Sequence, residues 1–168
     1  AQRPKGQTAA GGGMIRIEQV LSDLADAVRK SPEVIGFCER YRKPLTVFVG
    51  HRADMPLFAQ DSCPAFSVSP ADAAYDLGRS GQPREIKVRV RWALWNESAP
   101  ESEGVTTFTG IIEADQLGHL IVDAILAIDG LGDNLASAEA QFDATAGWPL
   151  CQCFADLTFA MPRGTAFE

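Results

Sequence analysis

The chain has 168 residues, of which 46% are hydrophobic and 22% are charged, values that are typical of one soluble globular domain. Its net charge of −7 argues against nucleic acid as the main partner, because phosphate contacts need a surplus of Lys and Arg. The sequence has neither an apolar run near the roughly 18 residues of a membrane span nor the pattern of a secretory signal, so we expect no membrane partner and find no support for secretion.

Charge is divided unevenly along the chain. Through Trp95 there are 14 Lys and Arg against 10 Asp and Glu, whereas from Asn96 onward there is one Arg against 12 acids. Such an asymmetry is either neutral drift on a solvated surface or a mark of complementary faces for assembly. The four cysteines, without a secretory signal, favour a reducing compartment over a disulfide framework.

The first part of the chain predicts a leader followed by helices and a strand. Residues 1–13 have no apolar periodicity and end in three glycines, so we interpret them as a disordered leader or a cloning remnant. Apolar residues at helical spacing predict the first main helix over residues 15–30, and Pro32 ends it. Residues 33–43 predict a short helical turn, and residues 45–49 predict a strand.

Short elements follow. Residues 50–64 predict a loop, residues 65–69 predict a short strand bounded by prolines, and residues 71–83 predict a polar loop long enough to project from the body.

Residues 84–95, REIKVRVRWALW, alternate strictly, which is the pattern of a half-buried strand. At about 3.3 Å per residue this strand crosses a small domain, so we predict that it is central to the sheet. Its inward face is predicted to be Ile86, Val88, Val90, Trp92 and Leu94. We expect Trp92 to pack against a main helix, near Leu24 or Ile121. The other face carries a basic ladder, Lys87, Arg89 and Arg91, before Ala93 and Trp95 turn it apolar. The basic ladder is either solvated or meets an acidic partner.

The acidic second part of the chain predicts a turn, a helix and a last strand. Residues 96–104 predict the turn, and residues 105–109 predict a return strand antiparallel to the long strand. Residues 112–128 predict the second main helix, with Glu113 and Asp115 in its first turn, where acids suit the helix dipole.

The remaining residues complete the predicted fold. A short strand is predicted near residues 140–144, and residues 150–161 predict a strand that closes the sheet. The order of elements predicts a single α+β domain over residues 14–168. We expect a mostly antiparallel sheet of four to five strands, with two main helices packed on one face.

Few residues have a pattern that suggests chemistry. Cys151 and Cys153 have a metal-like spacing, but in a strand they share one apolar face, so we predict buried thiols without metal. His51 and Cys63 in the predicted loop are the one base and nucleophile that the sequence offers together, and nothing in their spacing requires such a pair. The sequence thus identifies no catalytic, cofactor-binding or metal-binding residue. A small ligand-binding or enzymatic domain that uses residues 50–64 remains the alternative.

Read in order, these pieces resemble the tail terminator (tail completion) proteins of Mu-like and other long-tailed phages. The similarity covers residues 14–162 and rests on the helix IRIEQVLSDLADAVRK, the proline-bounded CPAFSVSP, the strand REIKVRVRWALW, the helix DQLGHLIVDAIL and a last strand ending LTFAMP. It implies a non-enzymatic structural protein without cofactors, assembled in the host cytoplasm and located in the virion tail.

The resemblance also implies partners. Such proteins form a ring, commonly of six subunits, on the last ring of the tail tube. The ring stops tube polymerisation and joins the tail to the neck and head. Its expected partners are further copies of the chain, the tail tube protein, the neck or head-completion protein and, in contractile tails, the sheath, with DNA only as passing cargo. Another neck or connector protein is the related alternative.

A ring of identical subunits needs two different patches that complement one another. We therefore predict that part of the basic ladder faces acids of a neighbouring subunit or of the tail tube, while the remaining acids face the channel. The candidate interface residues are Lys87, Arg89, Arg91, Trp95, Glu97, Glu101, Glu103, Glu113 and Asp115.

Overall fold

A computed structural model gives the fold, and it describes residues 16–50, 58–77, 83–143 and 146–160. The helices are α1 (Ile17–Lys30), α2 (Pro32–Glu39) and α3 (Thr109–Leu126). The strands are β1 (Thr46–Val49), β2 (Ala65–Leu77), β3 (Pro83–Trp95), β4 (Glu101–Ser102), β5 (Val105–Thr106), β6 (Leu135–Phe142) and β7 (Leu150–Ala160).

Five strands form one sheet in the order β1-β2-β3-β7-β6, and β4 pairs with β5 in a separate hairpin. The β1–β2 pair is parallel and the other pairs are antiparallel. The predicted α+β class, with a mostly antiparallel sheet, is therefore confirmed, and β3 is central as expected. The last strand, β7, does not close the sheet, because β6 pairs along its other side.

The core lies between the sheet and the helices. The predicted inward face of β3 is confirmed, since all five of its residues are at most 2% exposed. On β7, alternate residues from Cys151 to Phe159 are buried on the same side. Because inward and outward residues alternate along most of both strands, their paired rows form one apolar surface. α3 packs on this surface, whereas α1 packs on β1 and β2.

Pro32 separates the first two helices. It is the first residue of α2, where a missing N–H costs nothing, and the Ser31 hydroxyl accepts a hydrogen bond from the Val34 amide at 3.3 Å. The predicted short turn is thus a helix of eight residues, and it buries Phe37 and Cys38 in the core.

The predicted loop over residues 71–83 is wrong in large part, because β2 continues to Leu77 and β3 begins at Pro83. A register shift between Pro70 and Tyr75 lets the pairing with β3 resume after an irregular stretch. Pro70 is tolerated because β1 ends opposite Val68, and among the described residues no other strand pairs with that side of β2 beyond this point.

The predicted return strand over residues 105–109 is also wrong. β2 and β7 already occupy both sides of β3, so β5 pairs with β4 instead. The helix that follows begins at Thr109, which places Glu113 and Asp115 beyond its first turn and removes the predicted dipole interaction. The short strand predicted near residues 140–144 is β6, which begins earlier and ends at Phe142.

Candidate interaction surfaces

The basic ladder lies on the sheet face opposite the helices, as predicted, and its middle member is paired within the chain. Arg89 donates two hydrogen bonds to Asp156, from Nε to Oδ1 at 2.6 Å and from Nη2 to Oδ2 at 2.7 Å. The two residues are direct neighbours across β3 and β7. The hydrogen bond from Arg89 holds the pKa of the Asp156 carboxyl below its ordinary value. A two-point Arg–carboxylate contact of this kind fixes both side chains.

The outer members of the ladder have neighbours in the same chain as well. Lys87 Nζ lies 3.8 Å from a carboxylate oxygen of Glu85, and Arg91 Nη1 lies 3.4 Å from the Ser69 hydroxyl. In-chain acids therefore offset part of the charge of the ladder. Its predicted contact with a neighbouring subunit stays a prediction.

Beyond the ladder, the outer face becomes apolar, as the sequence predicted. Ala93 is buried with Ala65, Phe58 and Cys63 in a small second cluster. Trp95 packs against this cluster and donates from Nε1 to a carboxylate oxygen of Glu97 at 3.1 Å. Phe58 and Cys63, which belong to the loop predicted over residues 50–64, thus cover one end of the outer face.

Three of the candidate acids lie on a projecting ribbon. Residues 97–108, here called the acidic arm, fold back on themselves through β4 and β5, with a turn at Glu103 and Gly104, both of positive φ. Every residue from 101 to 108 is exposed. The arm carries Glu97, Glu101 and Glu103. At its base, the exposed rings of Phe108 and Trp148 meet edge to face, with centroids 6.0 Å apart.

The other two candidate acids lie on α3. Glu113 is partly buried and accepts hydrogen bonds from the Tyr41 hydroxyl and from Asn96 Nδ2, which joins α3 to the end of α2 and to the end of β3. Burial and the hydrogen bond to Glu113 raise the pKa of Tyr41. Asp115 is exposed, with its carboxylate 3.5 Å from His119. The structure therefore separates the five acids rather than gathering them on one surface.

The residues of the enzymatic alternative do not form a described site. His51 lies outside the described residues, and Cys63 is buried, which raises the pKa of its thiol to about 11. Such a thiol is protonated at neutral pH and is a poor nucleophile. The predicted burial of Cys151 and Cys153 is confirmed, and burial raises the pKa of Cys153 to about 12. In the described ranges, no group of three or more His, Cys, Asp and Glu side chains is arranged to hold a metal ion.

The sequence predicted only the end of the edge strand β6, and it did not predict the stretch from Leu135 to Glu139. Six of its eight residues are Leu, Ala, Ser or Phe, and all but Leu135 are exposed. On the helix side of the sheet, Ala138, Ala140 and Phe142 stand opposite buried residues of β7, yet they remain uncovered. The only sequence signal is a weak alternation in LASAEAQF, which small residues make hard to read.

An open groove lies beside the start of β1, at the edge of the sheet opposite β6. The sequence did not predict this groove. It has a volume of about 550 Å³ and is called the basic groove here. Its lining residues are Arg29, Val34, Ile35, Cys38, Glu39, Arg42, Lys43, Pro44 and Leu45. The floor is apolar and three of the four charged residues are cationic.

No protein-family model matches the chain, and no curated protein matches it. Of the helices in the described ranges, none has the length and apolar content needed to cross a membrane.

Proposed function

We propose that this protein is a tail terminator (tail completion) protein, a non-enzymatic structural subunit of a phage tail. Its copies form a ring on the last ring of the tail tube, and in proteins of this kind the ring commonly has six subunits. The ring stops polymerisation of the tube and joins it to the neck and head. It is assembled in the host cytoplasm and resides in the virion tail.

The observation that supports this proposal is the uncovered edge strand β6. In the described part of the chain no strand pairs along its outer edge, which leaves a row of backbone N–H and C=O groups there. Its helix-side face is apolar and exposed over Ala138, Ala140 and Phe142. Proteins that act as monomers protect such edges with Lys, Pro or a covering element, because an open edge recruits other chains. β6 contains neither Lys nor Pro, and its one charged residue, Glu139, is paired with Asp156 on the face away from the helices. The apolar helix-side face therefore favours a subunit whose edge is covered in an assembly.

The acidic arm supplies a separate surface for the tube or the neck. An isolated two-stranded hairpin is marginally stable in water, so an exposed arm gains order when it docks on a partner. With twelve acids and one Arg after Trp95, the second part of the chain also suits a channel wall that repels the DNA backbone. The sequence resemblance is what points to a tail rather than to another assembly.

Ala140→Lys tests this proposal. Ala140 is exposed, so the variant should keep its circular dichroism spectrum and lie within about 0.5 kcal/mol of the wild-type stability. A charge on the apolar face of β6 should prevent ring formation. Neither light scattering nor electron microscopy of the variant mixed with tail tubes should then detect a ring.

Gln116→Lys, on the exposed side of α3, is the matched control and should assemble as the wild type does. Wild-type protein that neither forms rings nor caps tubes would contradict the proposed function. Rings that bind the neck and ignore the tube would instead identify a neck or connector protein.

A further inference from the structure

We propose that β6 of one copy pairs antiparallel with β1 of the next copy, so that Phe142 of the first copy docks at the basic groove of the second. This inference rests on the proposed ring and names the contact that builds it. It replaces the basic ladder as the principal contact between subunits, because Arg89 is held by Asp156 of its own chain.

The two surfaces lie where a head-to-tail contact needs them. β1 and β6 are the opposite edges of the sheet, so one copy can offer β6 while it receives a neighbour at β1. A closed ring is built from such a pair of different patches, repeated by rotation. A β6–β6 contact would instead stop at a dimer, because it uses the same patch twice.

Strand direction agrees with this arrangement. β1 is parallel to β2, and every later step across the sheet is antiparallel, so β1 and β6 run in opposite directions within one copy. Rotation about an axis along the strands preserves these directions. The next copy therefore presents β1 antiparallel to β6, which is the commoner pairing in sheets.

The register brings apolar residues together. Phe142, Cys153, Trp92, Phe66 and Val47 form one row across the sheet. The row two residues along runs from Ala140 to Val49 in the same way. A ring has no rise along its axis, so each row continues into the next copy, with Phe142 beside Val47 and Ala140 beside Val49.

This pairing would cover side chains that a single copy leaves exposed. Phe142 is 53% exposed and Val49 is 56% exposed. Leu45, which lines the basic groove, lies two residues before Val47 and so is a diagonal neighbour of Phe142 in the proposed pairing. A phenyl ring at this point would extend the apolar floor of the groove.

Charge is complementary at the same contact. The residues that lead into β1 carry Arg40, Arg42 and Lys43, whereas the chain has neither Lys nor Arg from Asn96 to Pro162. Asp143 directly follows Phe142, and Arg42 and Lys43 lie shortly before β1 begins at Thr46. In the proposed antiparallel pairing these opposite charges meet at one end of the contact. Such complementarity favours the β6–β1 contact over like edges, which would set acid against acid.

Cysteine crosslinking tests the proposed register. In Val49→Cys/Ala140→Cys the two new thiols of one copy are about 19 Å apart, across four strand spacings, and cannot bridge within the chain. Between copies they would be neighbours. A mild oxidant should therefore convert the double variant into covalent multimers up to the full ring on a non-reducing gel, while each single variant stays monomeric. The four native thiols are buried and should give little background.

Val49→Cys/Ala136→Cys is the matched control. Residue 136 lies on the same exposed edge, but about 13 Å along the strand from residue 140, so this pair should not crosslink.

Covalent dimers from Ala140→Cys alone would show β6 against β6 and overturn the inference. Double-variant rings that scatter light as wild-type rings do, yet give no covalent multimers, would also overturn it while leaving the proposed function intact. If wild-type rings do not form at all, both this inference and the proposed function are contradicted.

Discussion

Trp92 lies so close to Gly118 that a Cβ atom at residue 118 would stand 2.5 Å from Cζ2 of the indole. The same indole donates from Nε1 to the backbone carbonyl of Ala114 at 2.7 Å. The side chain of Trp92 thus holds the central strand β3 against α3. The predicted burial of Trp92 against a main helix is confirmed, and its predicted contact with Leu24 or Ile121 stays a prediction.

Gly118→Ala should destabilise the protein although Ala favours helices. The helix propensity gain is about 1 kcal/mol, whereas forcing a methyl group into a packed indole costs about 1–3 kcal/mol and displaces Trp92. Denaturant unfolding followed by Trp fluorescence measures the change.

Gly36→Ala is the control, because outside the chain neighbours and the backbone of its own helix no atom lies within 4 Å of the added Cβ, and the site is exposed in α2. It should be neutral or stabilising by up to about 1 kcal/mol. Equal effects at the two glycines would contradict the close packing of Trp92 on α3.

The Arg89–Asp156 pair should make stability depend on pH in acid. Because Arg89 lowers the pKa of Asp156 in the folded state, the pair stabilises the fold above the ordinary carboxyl pKa of 3.8. That contribution is lost as the pH falls further, through the lower pKa of the folded state. The Asp156 side chain is 40% exposed, so solvent screening reduces the size of the effect. Thermal unfolding of Asp156→Asn between neutral pH and pH 2 should show a shallower acid slope than the wild type, and an unchanged slope would count against the pair.

Reversing the charge of Arg89 separates folding from assembly. Arg89→Glu sets two carboxylates against each other across β3 and β7, so the melting temperature should fall. Arg89→Glu/Asp156→Arg should recover most of that loss with the pair reversed. If the double variant folds and also assembles normally, the ladder acts within the chain. If it folds but does not assemble, the ladder itself lies at a contact between subunits.

The buried thiols should resist modification until the protein unfolds. Burial raises the pKa of Cys38 and Cys63 to about 11 and of Cys153 to about 12, so little thiolate exists at neutral pH. A disulfide reagent should react with these cysteines at a rate that rises steeply when denaturant is added. Rapid labelling of the folded protein, or stoichiometric zinc that is lost in Cys153→Ser, would contradict buried metal-free thiols.

The parts of the fold that could be predicted from sequence are those where one strand face is buried along its whole length. β3 and β7 show a clear alternation because α3 covers their inward residues. β6 gave only a faint pattern because both its faces are exposed and its residues are small. The sequence predicts that β2 ends at Pro70 because proline usually interrupts a strand, and only the sheet order shows that no described strand pairs with β2 beside this proline.

The candidate surfaces were harder to predict for a different reason. Arg89 and Asp156 are 67 residues apart, and their contact depends on a register between two strands that neither strand specifies alone. The basic groove likewise forms only when the end of α1, α2 and the entry to β1 come together. The acids of the arm were found from sequence because they are close along the chain, whereas Glu113 was assigned to the surface although it supports Tyr41.

The most direct measurement is electron microscopy of tail tubes that polymerise with and without this protein. The proposal predicts one ring of the protein at a single end of each tube, with the six subunits that are common in such rings. The tubes should stop growing once the ring is bound. Protein that stays monomeric in light scattering, binds no tube end and leaves tube length unchanged would contradict it.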